Sequence, residues 1–129
     1  MVKHTFTPAQ ATRTLPLVKR IVHDLIDRGS ELRELAPRQR DDGVAAHIKK
    51  LEAEIRDLAE ELERIGCSYK DWGFEAGLVD FPSEIDGEQV LLCWRSDEDE
   101  VGFYHSYDGG FASRTPIPAE LLEPCPDGV

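Results

Sequence analysis

The sequence predicts an α+β fold: a long antiparallel, coiled-coil-like helical hairpin joined to a small three-stranded antiparallel β-sheet. Three observations carry this reading. Apolar residues between positions 15 and 65 recur at alternating spacings of three and four, as on one face of a helix. Beyond Gly77 the pattern shortens to the period of two that marks strands. The charge changes at the same boundary: residues 1–66 hold 12 Lys/Arg and 12 Asp/Glu, whereas 67–129 hold 3 and 14, so the net charge of −11 lies entirely in the second half. Residues 1–66 are therefore read as the hairpin and 67–129 as an acidic β-meander with a proline-rich tail, together one structural unit.

The first helix opens at Phe6-Thr7-Pro8-Ala9-Gln10, where Thr7 can cap, Pro8 presets φ and Gln10 completes a capping box. Its stripe is Leu15, Val18, Val22, Leu25, Gly29, Leu32 and Ala36, widened by Ile21 and Ile26. Pro16 deletes the backbone bond toward Thr12 and should kink the second turn. Pro37 ends the helix, and a charged connector runs to Gly43. The second stripe is Val44, Ile48, Leu51, Ile55, Leu58, Leu62 and Ile65, with Gly66 where a C-terminal glycine cap belongs. The two helices would run roughly 43 Å and 33 Å. A hairpin buries one seam per helix, so the widened first stripe needs further cover, from the sheet or from a second copy in a four-helix bundle.

The meander spans Gly77–Ser106. Leu78-Val79-Asp80-Phe81 begins it, and Asp86-Gly87 is a type I′ hairpin signal. Val90–Arg95 is an apolar run fit for a central strand, with Val90, Leu92 and Trp94 on one face and Leu91, Cys93 and Arg95 on the other. Either face could meet the helices. Ser96–Glu100 turns the chain, Val101–His105 forms the third strand, and Asp108-Gly109-Gly110 turns it again. The tail, with Pro116, Pro118, Pro124 and Pro126, lacks ladder-forming capacity in its middle and should run over the surface, apart from a helical turn at Ala119–Glu123.

Composition excludes several classes. A net charge of −11 argues against nucleic acid and anionic membrane surfaces, both of which need clustered cations. The sequence has no run of about 18 apolar residues and no signal peptide, which reads as a cytoplasmic chain. Cys67, Cys93 and Cys125 are odd in number and form no CxxC pair, so neither a zinc ribbon nor disulfides are expected.

The stretches Gly77-Leu-Val-Asp-Phe-Pro82, Leu92-Cys-Trp-Arg95, Glu100-Val-Gly-Phe-Tyr-His105 and Asp108-Gly-Gly-Phe-Ala-Ser-Arg114 resemble a prokaryotic family, the domain of unknown function 2203. Phe6-Thr7 and Leu15-Pro16-Leu17-Val18 fit the same pattern, so the resemblance covers residues 5–117. Gly29-Ser30 departs from it, a weak pair inside a helix. The resemblance implies a helical hairpin with a small sheet and no particular activity.

Asp80, Arg95, His105, Asp108 and Arg114 fall near strand ends or turns that a meander brings together. They support two readings. In one, His105, Asp80 and Asp108, with Cys93 as a further donor, hold a divalent metal such as zinc, iron or manganese. In the other, Arg95 and Arg114 hold Asp80 and Asp108 in a structural ion-pair network, with His105 donating to a carboxylate. A Cys93 nucleophile with His105 as base is disfavoured, because a mid-strand thiol in an apolar run is buried by default. His23 and His47 lack a partner histidine at helical spacing, and Trp94, Phe103 and Tyr104 read as core. Two functions follow. The first is a non-catalytic assembly module that self-associates through the hairpin as a homo-oligomer. The alternative is a metal- or small-ligand-binding protein, with scope for enzymatic activity, whose site lies at the sheet around His105.

Overall fold

A computed structural model describes residues 5–122. Helix α1 spans Pro8–Leu35 and α2 Val44–Ile65, and a 3₁₀ turn at Ala36–Arg38 lies between them. Strands β1 (Ser68–Tyr69), β2 (Leu78–Ile85), β3 (Glu88–Arg95), β4 (Phe103–Ser106) and β5 (Thr115–Pro116) precede a short helix, α3, at Ala119–Leu122.

The helix boundaries follow from local chemistry. Thr7 Oγ1 accepts from the Gln10 N–H at 3.1 Å, and Gln10 Oε1 accepts from the Thr7 N–H at 3.0 Å, closing the capping box. Helix α1 continues through Pro16, which lies on an exposed side. Helix α2 stops at Gly66, whose φ of +115° suits a residue without a side chain and turns its N–H back to the Leu62 and Glu63 carbonyls. Arg28 of α1 donates to Glu54 of α2 at 3.0 Å, and Glu31 meets His47 at 2.7 Å. Later residues of α1 thus lie beside earlier residues of α2.

The sheet is antiparallel with five strands in the order β1-β2-β3-β4-β5, not three. Two short edge strands account for the difference. Ser68 and Tyr69 pair with Asp80 and Val79, and Pro116 and Thr115 pair with Phe103 and Tyr104. The first part of the tail therefore joins the ladder; Ile117 donates to the Gly102 carbonyl at 2.9 Å and is buried. Pro116 is tolerated there because an edge strand need not donate on its outer side. Glu123, Pro124, Cys125 and Pro126 lie outside the described residues. The β2–β3 hairpin turns at Asp86 and Gly87 with φ of +53° and +81°, as a type I′ turn requires. Pro82 sits within β2 without breaking it. A strand residue turns its N–H and C=O to the same side, and the Pro82 carbonyl accepts from the Phe6 N–H at 2.8 Å, away from β3. The donor that proline lacks is not needed by the β2–β3 ladder.

One core joins helices and sheet. Ala11, Leu15, Val18, Val22 and Leu25 of α1 pack with Val79, Phe81, Leu92 and Trp94, and α2 adds Ile55 and Leu62. The Val90-Leu92-Trp94 face is the one that meets the helices. Burying side chains the size of Trp94, Phe81 and Leu25 stabilises the fold by about 1.5–3 kcal/mol each. The sheet supplies the cover that the widened stripe of α1 requires, within the same chain. Close approach is built in: a Cβ placed on Gly77 would stand 2.3 Å from Val22 Cγ1.

Candidate metal centre

The face of the sheet turned away from α1 holds three buried chemistry-bearing side chains. Asp80 on β2 is the register partner of Cys93 on β3, so both project from that face. His105 on β4 pairs with Leu91, two residues from Cys93, which places it diagonally beside the thiol. Asp80 and His105 are 4% exposed and Cys93 1%. Segment 107–114 folds over this face. Gly109 lies against His105, and Phe111 lies with Arg114 in front of Phe103.

The polar contacts fix the histidine. Nδ1 lies 2.7 Å from the Ser106 carbonyl, which can only accept, so Nδ1 carries a proton and donates it. Nε2 faces Asp80 Oδ1 at 3.2 Å, with one proton shared across that contact. Burial pushes the Asp80 carboxyl above the ordinary carboxylate range, and the adjacent His105 pulls the other way. Burial also pushes the Cys93 thiol up to about 11, with Asp80 adding to the rise and Arg114 opposing it. One donor atom from each of Asp80, Cys93 and His105 lies within 4.8 Å of the other two, and this is the only such group of three among the described residues.

The other residues singled out from the sequence fall differently. Asp108 is exposed in the turn after β4 and is not part of this group; Cys93 is the third donor. The network expected of Arg95, Arg114, Asp80 and Asp108 is divided. Arg95 pairs with Asp97 in the turn that follows its own strand, Arg114 pairs with Glu98, and Asp80 pairs with His105. Proximity explains the first pairing, since Asp97 is two residues from Arg95. Glu98 belongs to the acidic 96–100 turn, but no spacing marks it out among four neighbouring acids. Both oxygens of Glu98 accept from Arg114, and Oε1 also accepts from the Arg95 backbone N–H at 2.8 Å. His47 contacts Glu31, and His23 lines an apolar hollow of about 410 Å³ between α1 and Trp94. Cys67 is buried, donates to the Leu62 carbonyl and lies far from ionisation, its thiol pushed up to about 12.

The family model of an uncharacterized conserved protein, DUF2203, matches residues 4–117. The chain belongs to the DUF2203 family. Neither a curated protein nor a solved structure matches it. No helix among the described residues is long and apolar enough to cross a membrane. The three donors, their covering segment and Arg114 all lie within the part of the chain that the DUF2203 model spans.

Proposed function

We propose that this DUF2203 chain binds one divalent cation of the zinc class through Asp80, Cys93 and His105. The observation that carries the proposal is the buried convergence of carboxylate, thiol and imidazole on a sheet face that packing alone would leave apolar or wet. The histidine is set up as a ligand: Nδ1–H is held by a backbone carbonyl, which turns Nε2 toward the other two donors. The separation also fits. Ligands about 2.0–2.1 Å from a tetrahedral ion stand about 3.3 Å apart, close to the 3.2 Å between Nε2 and Oδ1.

Charge supports the same reading. With an ion in place, carboxylate and thiolate balance its two positive charges, and Arg114 is balanced by Glu98. Without one, a shared Asp80–His105 proton and a neutral thiol leave the cluster equally uncharged. Exchange of protons for metal therefore buries no net charge. A sulfur donor favours zinc, iron or cobalt over magnesium or calcium, which take oxygen ligands. The geometry gives no support to a cysteine nucleophile, because the Cys93 thiol is buried and its pKa is pushed up to about 11.

The test is metal content after purification without chelator and dialysis against micromolar zinc. About one ion per chain is expected, with loss in Cys93→Ser and His105→Gln while the circular dichroism of the helices persists. Wild-type protein that retains no ion, or variants that retain it fully, would overturn the assignment.

A further inference from the structure

The hollow of about 410 Å³ between α1 and Trp94 lies on the face of the sheet opposite the metal centre. Its helix wall is two neighbouring rows at i, i+4, i+8 spacing: Val22, Ile26 and Ser30 in one, Lys19, His23 and Asp27 in the other. Trp94 and Ser96 form the opposite wall. Trp94 turns its apolar ring to the hollow, because its Nε1–H is taken by the Glu98 carbonyl at 2.9 Å. Ser96 is held twice by Gly77: its hydroxyl accepts from the Gly77 N–H at 3.1 Å, and its N–H donates to the Gly77 carbonyl at 2.8 Å. The hydroxyl hydrogen of Ser96 is left to donate. Apolar walls with a few placed polar groups, in a volume of about 300–1,000 Å³, are what small-molecule sites present.

Charge is graded along the outer row. Lys19 and His23 stand at one end, and Asp27 lies one helical turn beyond His23, about 6 Å along the axis. None of the three has an ion-pair partner among the described residues. In a chain of net charge −11, an unpaired ammonium beside an apolar hollow is complementary to an anion with an apolar body. We propose that the hollow binds a small aromatic carboxylate. Its ring lies between Ile26 and Trp94, its carboxylate meets Lys19 and a ring N–H of His23, and a hydroxyl at its far end donates to Asp27. A planar ring suits the indole better than an aliphatic chain, since aromatic pairs gain from offset or edge-on contact. A cationic ligand held by Asp27 would have to lie beside Lys19. Such an occupant also covers Ile26, which the sheet leaves half-buried. This site is independent of the metal reading, because Cys93 projects from the other face of β3.

Trp94 reports on its own site once the other tryptophan, the exposed Trp72, is replaced in Trp72→Phe. The probes are 4-hydroxyphenylacetate, phenylacetate and tyramine, with affinity from calorimetry and location from Trp94 fluorescence. We expect 4-hydroxyphenylacetate to bind with a Kd of about 0.1 mM and to change the Trp94 emission. Tyramine, which carries an ammonium in place of the carboxylate, should bind at least about tenfold more weakly. Lys19 and Asp27 are exposed, so their variants keep the fold. Lys19→Glu should weaken 4-hydroxyphenylacetate about tenfold. Asp27→Ala should abolish its advantage over phenylacetate. No binding up to about 5 mM, or binding that leaves Trp94 emission unmoved, would overturn the proposal. So would tyramine bound as tightly as the acid, or an affinity in Lys19→Glu within about twofold of wild type.

Discussion

Gly29 has no side chain because an aromatic ring fills the space one would occupy. A Cβ at this position would stand 2.1 Å from Phe74 Cγ, and Phe74 itself sits at φ +59°, a conformation that side chains rarely adopt. The loop that carries Phe74 is held from both sides. Asp71 accepts from the N–H groups of Gly73, Glu75 and Ala76, and Arg33 donates to the Gly73 carbonyl at 2.7 Å. Alanine at position 29 would gain about 1 kcal/mol in helix propensity. It would also force the ring or the helix to move, an overpacking cost of about 1–3 kcal/mol. Gly29→Ala should therefore lose up to about 2 kcal/mol in chemical denaturation, and in a Phe74→Ala background the same substitution should become stabilising. The pair Gly29-Ser30 reads from the sequence as a soft spot in the first helix. The helix is unbroken there, and the reason for the glycine lies forty-five residues further along the chain, where no local pattern could reveal it.

Among the elements, the helices and the β2–β3 hairpin were legible because their signals are local: a capping box at Thr7–Gln10, apolar stripes, and Asp86-Gly87 between two apolar runs. Strands β1 and β5 have two residues each and no period to read; they exist because β2 and β4 offer unpaired edges. The site was legible in part for the same reason. Alternation placed Cys93 with Leu91 and Arg95, and His105 at a strand end, but pairing Asp80 with Cys93 needed the register. Asp108 looked like a ligand by nearness in sequence, and the turn carries it outward. The N-terminal segment illustrates how long-range contacts complete an element. Ser83 donates from its buried hydroxyl to the Phe6 carbonyl, beside the Phe6 N–H bond to Pro82 and an edge-on Phe6–Phe81 contact at 5.1 Å. Ser83→Ala removes this buried hydrogen bond and should cost about 1–2 kcal/mol. Hydrogen exchange at the Phe6 amide should quicken in the same variant; an unchanged exchange rate would show that Ser83 does not hold the segment.

For the molecule as a whole, one core serves both helices and the sheet, so the state of the outer face bears on global stability. Cys93 and Cys67 lose their protons near 9.0 when unfolded, but at about 11 and about 12 when folded. A group whose folded pKa is raised binds its proton more tightly in the native state. Its contribution is complete below pH 9 and is lost as pH rises through 9 toward 11 and above. The melting temperature of metal-free protein should therefore fall across that window, and zinc should cancel the share due to Cys93, because a ligating thiolate has no proton to lose. The stripe of α1 is buried against the sheet at Leu15, Val18, Val22 and Leu25, whereas Leu32, Val44, Ile48 and Ile65 are half-buried. Anomalous diffraction at the zinc edge, from crystals grown with one equivalent of zinc, tests the metal centre most directly. A single peak bounded by Asp80, Cys93 and His105 is expected. A peak elsewhere, or none with the His105–Asp80 contact intact, would contradict it and leave those side chains as a buried hydrogen-bonded pair.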